Sequence, residues 1–147
     1  MPSESRVLIR RAWLILAAVA ALSGCSPGEP RLVPVAGRVL IDGEPLRLGY
    51  IRFVPERGRA SGGQIDTEGR FALTCRTEGD GAVTGRHRIE VIARERLDAE
   101  SMRIHAPNTY EDITTSGLSA VIEGPTAGLT IELSWNGGGP FVQRDGR

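Results

Sequence analysis

From Gly85 to Arg94 every second residue is of one kind: His87, Ile89, Val91 and Ala93 alternate with Arg86, Arg88, Glu90, Ile92 and Arg94. A period of two puts alternate side chains on opposite faces of an extended chain, whereas on a helix it would smear the charges around the whole cylinder. The segment therefore predicts a strand with one face on a core and the other, mostly charged, in water. The same rhythm returns along the chain. Val33, Val35, Gly37, Val39 and Ile41 alternate up to Asp42-Gly43, a two-residue hairpin signal. Ile51 and Phe53 share a face within Leu48 to Pro55, and Phe71, Leu73 and Cys75 share one within Arg70 to Arg76. Gly63 to Ile65, the turn Asp66-Thr67-Glu68-Gly69 and Arg70 to Arg76 together predict a hairpin. Leu118 to Glu123 and Leu129 to Trp135 complete the set, separated by Gly124-Pro125. No comparable run has helical period, although Leu97 to Arg103 has room for a single helical turn.

About seven short strands with turn signals between them predict an all-β fold, an antiparallel Greek-key β-sandwich over residues 33–135. Cys75 falls with the inward residues of its strand and is expected in the core, where unpaired cysteine is common. His87 is expected to be half-buried on its strand, and His105, in an irregular stretch, to be solvated. Residues 136–147, rich in glycine and polar groups, are expected to form a flexible C-terminal tail.

The N-terminus has a different grammar. Arg6, Arg10 and Arg11 precede an uncharged run, Ala12 to Leu22, which ends in Leu22-Ser23-Gly24-Cys25. A basic n-region, an apolar h-region and a small-residue cleavage site make a targeting peptide over residues 1–24. The run falls short of the roughly 20 apolar residues that a spanning helix needs. Leu22, Ser23, Gly24 and Cys25 resemble the lipobox of bacterial lipoproteins at all four positions. That resemblance implies that Cys25 is the first mature residue and carries a thioether-linked diacylglycerol and an amide-linked acyl chain such as palmitate. A thiolate is the nucleophile such a modification needs, and two or more acyl chains hold a protein on a bilayer stably. Residues 25–32 then form the lipid anchor and tether, and Ser26, where an Asp would favour inner-membrane retention, points to the outer membrane, facing periplasm or exterior.

Removing residues 1–24 leaves about 120 residues, enough for one domain with its own core. It also removes three arginines and one glutamate from a chain with 18 residues of each sign, so the remainder is slightly acidic. Nucleic acid, which calls for a basic face, is not an expected partner. Every basic side chain counted among those 18 is arginine. Chemistry that needs a lysine amine, whether a Schiff base or a Lys–Asn cross-link, is thereby excluded.

Val35-Ala36-Gly37-Arg38-Val39, Asp42-Gly43-Glu44-Pro45-Leu46, Ile51-Arg52-Phe53-Val54-Pro55, Asp66-Thr67-Glu68-Gly69-Arg70-Phe71 and Gly85-Arg86-His87-Arg88-Ile89-Glu90-Val91 resemble carboxypeptidase-regulatory-like, transthyretin-like domains. Pro107-Asn108-Thr109-Tyr110 and Thr115-Ser116-Gly117-Leu118 are similar to a motif of small planctomycete lipoproteins that pair a lipobox with one such domain. The resemblance implies a lipid-anchored, non-catalytic module of the cell envelope, in contact with the bilayer through its anchor and with an envelope protein or glycan through its domain. It implies no cofactor beyond the acyl chains. His87 stands where that family more often has an aromatic residue.

Two sets of residues are candidates for chemistry beyond the lipid. Asp66, Glu68, Glu78 and Asp80 lie on turns and would make a calcium-type, metal-dependent accessory site if the fold gathered them, although acidic residues also serve turns for their own sake. The stretch 95–117, the longest without a strand pattern, carries Met102, His105 and Tyr110 and is the candidate binding loop.

Overall fold

The computed structural model describes residues 30–144; residues 1–29, with the lipobox and most of the tether, and residues 145–147 lie outside it. Among the described residues the chain is all-β, with thirteen short strands and, as its only helical segment, a 3-10 turn at Asn108–Glu111.

One sheet is antiparallel and consists of β4 (Gly49–Pro55), β5 (Ser61–Ile65), β8 (Gly85–Ile92) and β11 (Leu118–Ile122), in the order β11-β8-β4-β5. A second is built on β2 (Val35–Ile41), with β12 (Thr126–Leu133) along one side and β3 (Glu44–Pro45) and β6 (Arg70–Ala72) end to end along the other. The register of β4 against β8 sets Ile51 opposite Val91 and Phe53 opposite Ile89, all four fully buried. On the outer face the same register sets Arg52 opposite Glu90, paired at 3.0 Å. Alternation thus does what the sequence requires: His87, Ile89, Val91 and Ala93 have no exposed surface.

The two sheets share one apolar cluster, to which the first contributes Ile51, Phe53, Ile89 and Val91 and the second Val35, Val39, Phe71 and Ile131. Phe53 and Phe71 meet across it with ring centroids 6.0 Å apart. Among the described residues no sheet closes into a barrel.

The Asp42-Gly43 signal is a two-residue hairpin turn, φ +49° and +86°, the pair of positive angles that a primed turn needs. Asp42 also reaches beyond its own turn. Its carboxylate accepts from Ser134 Oγ at 2.7 Å and from the Trp135 N–H at 3.2 Å, which ties the turn to the chain leaving β12.

Five expectations are corrected. The strands number more than seven because long ones are cut: Pro34, which has no N–H to give a ladder, separates β1 (Leu32–Val33) from β2, and Ala93 separates β8 from β9 (Arg94–Arg96). The pairing of β12 with β2 is parallel, not antiparallel. β5 and β6 do not form a simple hairpin; beyond their turn they part, β5 to β4 and β6 to β2, held together at Gly62 and Thr74 by an isolated bridge. Leu97 to Arg103 makes no helical turn but the bend of a hairpin between β9 and β10 (Ser101–Ile104), where Asp98 accepts the Glu100 N–H and Leu97 bonds Ser101. The tail is not free throughout: Phe141–Arg144 is a strand, β13, antiparallel to β10.

The end of the fold at which the described chain begins is closed by β1 against β7 (Ala82–Val83). Gly81, just before β7, has φ +91°, and a Cβ there would collide with the Val33 carbonyl; Gly79, φ +72°, faces open space. Gly81→Ala is expected to cost more than Gly79→Ala, whose penalty is backbone strain alone, about 1 kcal/mol. Urea unfolding of the two variants side by side checks the order.

Candidate functional site

Three of the four turn carboxylates, Asp66, Glu68 and Asp80, are spent locally. Asp66 accepts from the N–H groups of Glu68 and Arg70, both at 2.8 Å, and from Arg70 Nε at 3.1 Å. Glu68 pairs with the same guanidinium at 2.6 Å. Asp80 accepts the N–H groups of Cys75, Arg76 and Thr77 at 2.6, 3.0 and 2.9 Å. These donors hold both Asp66 and Asp80 below the usual carboxylate range, led by the Arg70 N–H for one and the Cys75 N–H for the other. Among the described residues no three His, Cys, Asp or Glu side chains gather as a metal would require. Asp66, Glu68, Glu78 and Asp80 are therefore not brought together.

The candidate binding loop is largely structured. Arg94 on β9 pairs with Glu111 through both nitrogens of a fork, one at 2.7 Å, and so pins the 3-10 turn. Tyr110 on that turn packs on the shared core while its hydroxyl accepts the Ser134 N–H at 3.1 Å. Ser116 is buried and donates to the Ile89 carbonyl at 2.5 Å. Met102 is half-buried on β10. His105 is not solvated as expected: its side chain is 24% exposed and Nε2 stands 3.0 Å from Glu95 Oε2. Of the three side chains singled out in this stretch, His105 and Tyr110 have separate polar partners, Glu95 and Ser134.

His87 is fully rather than half buried, its ring edge-on to Phe53 at 5.8 Å. Nε2 lies 2.8 Å from the Val83 carbonyl, which only accepts, so Nε2 carries the proton. Nδ1 is left with no partner, as is Ser61 Oγ on β5. Burial pushes the His87 pKa down, against the Val83 bond that raises it.

Cys75 is corrected as well. Thr74 makes the bridge to Gly62, after which Asp80 gathers three successive N–H groups and bends the chain out of the sheet. Cys75 is left a free, partly exposed thiol with Sγ 4.0 Å from the Arg59 carbonyl. It lines an open cavity of about 440 Å³ with Pro30, Leu32, Arg57, Arg59 and Arg76. A neighbouring cavity of about 400 Å³ shares Pro30 and Arg57 and adds Glu56 and Arg86. Sequence reasoning missed these arginines because Arg57 and Arg59 lie between β4 and β5, Arg76 between β6 and β7 and Arg86 on β8, and only the folded chain brings them to one end.

Comparison of the chain with models of protein families, with characterised proteins and with solved structures finds no match.

The titrating groups make a two-stage acid response. His87 binds its proton less readily folded than unfolded, so its contribution to stability is complete above about pH 6.5 and declines as pH falls below that value. Asp66 and Asp80, with folded pKa below the unfolded value, contribute above about pH 4 and lose that contribution on further acidification. Melting temperature is expected to drop in these two stages. His87→Phe should flatten the first and leave the second, and Asp80→Asn should lower Tm near neutral pH and weaken the second.

Proposed function

We propose that this chain is a lipid-anchored, non-catalytic module of the bacterial cell envelope, with a Greek-key sandwich of the transthyretin-like kind that makes protein or glycan contacts or serves as a structural element. The observation that carries the reading is Leu22-Ser23-Gly24-Cys25 at the end of an uncharged run behind three arginines. The acyl chains on Cys25 provide the membrane attachment, and Ser26 directs the protein to the outer membrane.

Three features support it. Two sheets pack on a common core, as a sandwich requires. The first strand begins at Leu32, which leaves a tether of a few residues after Cys25. Asp66, Asp80, Tyr110 and Ser116 are engaged in holding turns and crossovers, each with a structural partner. The metal-dependent accessory reading has no comparable support, since its four carboxylates do not converge.

The test is acylation. Expressed in a two-membrane bacterium fed radiolabelled palmitate, the wild-type chain is expected to take up label and sediment with membranes, and Cys25→Ser to take up none. A Cys25→Ser chain that still carries label, or a wild-type chain that carries none, overturns the proposal.

A further inference from the structure

We propose that the arginine-lined cavity at the tether end is a docking site for the phosphate headgroups of anionic phospholipid in the membrane that holds the anchor, so that the domain sits on the bilayer in one orientation. This rests on the acylation of Cys25.

Three observations lead there. The first is position. Pro30 lines both adjoining cavities, and it lies five positions after Cys25. An extended chain covers no more than about 3.6 Å per residue, so the Cα of Pro30, in the cavity wall, lies within roughly 18 Å of the Cα that carries the acylated thiol. A longer tether would let the domain tumble; this one keeps the same end near the surface.

The second is charge. Arg57, Arg59 and Arg76 stand around the larger cavity with no carboxylate in its wall, and among the described residues none of the three has a carboxylate oxygen within 4.0 Å. Acidic groups are not absent from this end. Glu56 lines the adjoining cavity beside Arg86, and Asp80 lies on the turn after Arg76, but three backbone N–H groups occupy the Asp80 carboxylate. With no lysine in the chain the cations are guanidinium forks, whose paired donors match the oxygens of a phosphodiester.

The third is the apolar lining. Leu32, 41% exposed, and the half-buried Val83 line the same cavity as the arginines. Apolar carbon and guanidinium groups in one cavity wall fit the boundary between headgroup and glyceryl ester, where arginine stems lie on apolar surface and their heads reach phosphate. A soluble anion would have no use for that carbon, which favours lipid over free phosphate.

Cys75 supplies a probe already in the cavity wall, because acylation of Cys25 leaves it the only thiol in the mature chain. Acylated protein is reconstituted into vesicles of phosphatidylcholine alone or with one third phosphatidylglycerol, and its alkylation by N-ethylmaleimide is timed. In the anionic vesicles the rate is expected to fall by at least about threefold, and 0.5 M sodium chloride is expected to restore it by screening. The variant Arg57→Gln/Arg59→Gln/Arg76→Gln, whose three side chains are all exposed, should melt like the wild type and react at one rate in both vesicles. Equal wild-type rates in the two vesicles overturn the proposal, as does slowing that persists in the variant. Equal protection by millimolar inorganic phosphate with phosphatidylcholine vesicles shows a soluble-anion site and overturns it too. The intact mass of the same preparation separates the two failures: without the acyl mass the anchor itself is wrong, and with it only the docking is.

Discussion

Strand β2 is paired on both sides, and the fold is hung from it. Along one edge it takes β12 in parallel, from Val35 opposite Thr126 to Ile41 opposite Leu133. Along the other it takes β6 and then β3. Its inward side chains Val35 and Val39 are buried in the cluster that faces Ile51 and Phe53 of the other sheet. Backbone pairing fixes its position and burial fixes its face, since a slip by one residue would turn Val35 and Val39 out to water. Asp42 at its end secures β12 by two hydrogen bonds, and the Val39 N–H and carbonyl are taken by Gly69 and Leu46 on the two flanking turns.

What the sequence discloses and what it hides divide along physical lines. Strand faces are local: period two in Gly85 to Ala93 and in Ile51 and Phe53 gives burial directly, and a primed turn at Asp42-Gly43 is written in two letters. Partners are not local. Nothing in Leu129 to Trp135 says that its neighbour is β2 or that the pairing is parallel, and nothing in Arg70 to Ala72 says that it leaves β5 for the other sheet. Cys75 shows the limit of periodicity itself. The alternation Phe71, Leu73, Cys75 continues on paper after the chain has been bent away by Asp80, five residues further on.

The candidate site is legible to a different degree. The proposed lipobox, Leu22-Ser23-Gly24-Cys25, is contiguous and readable as a resemblance from the sequence alone. The arginines of the cavity beside Pro30 come from two separate connections, Arg57 and Arg59 between β4 and β5 and Arg76 between β6 and β7, and mean nothing as a set until those connections meet. The acidic turns show the converse. Asp66 and Asp80 looked like ligands because carboxylates on neighbouring turns can converge on a cation, yet each faces its own backbone. The Asx-type capping that makes Asp frequent in turns had already claimed them.

The partnership of β2 and β12 also sets an order of events. Asp42 and Trp135 are 93 positions apart, and the parallel ladder between these strands needs nearly the whole described chain before it can form. A chain that emerges N-terminus first presents β2, β4 and β8 while the long edge of β2 is still bare. During that interval the bare edge can be taken by a strand of another molecule. Pairings between segments so distant also carry a large loop-closure cost before they return anything, which slows folding. The ladder that covers the long edge of β2 thus waits for β12, and the C-terminal third of the described chain is the latch that closes that edge.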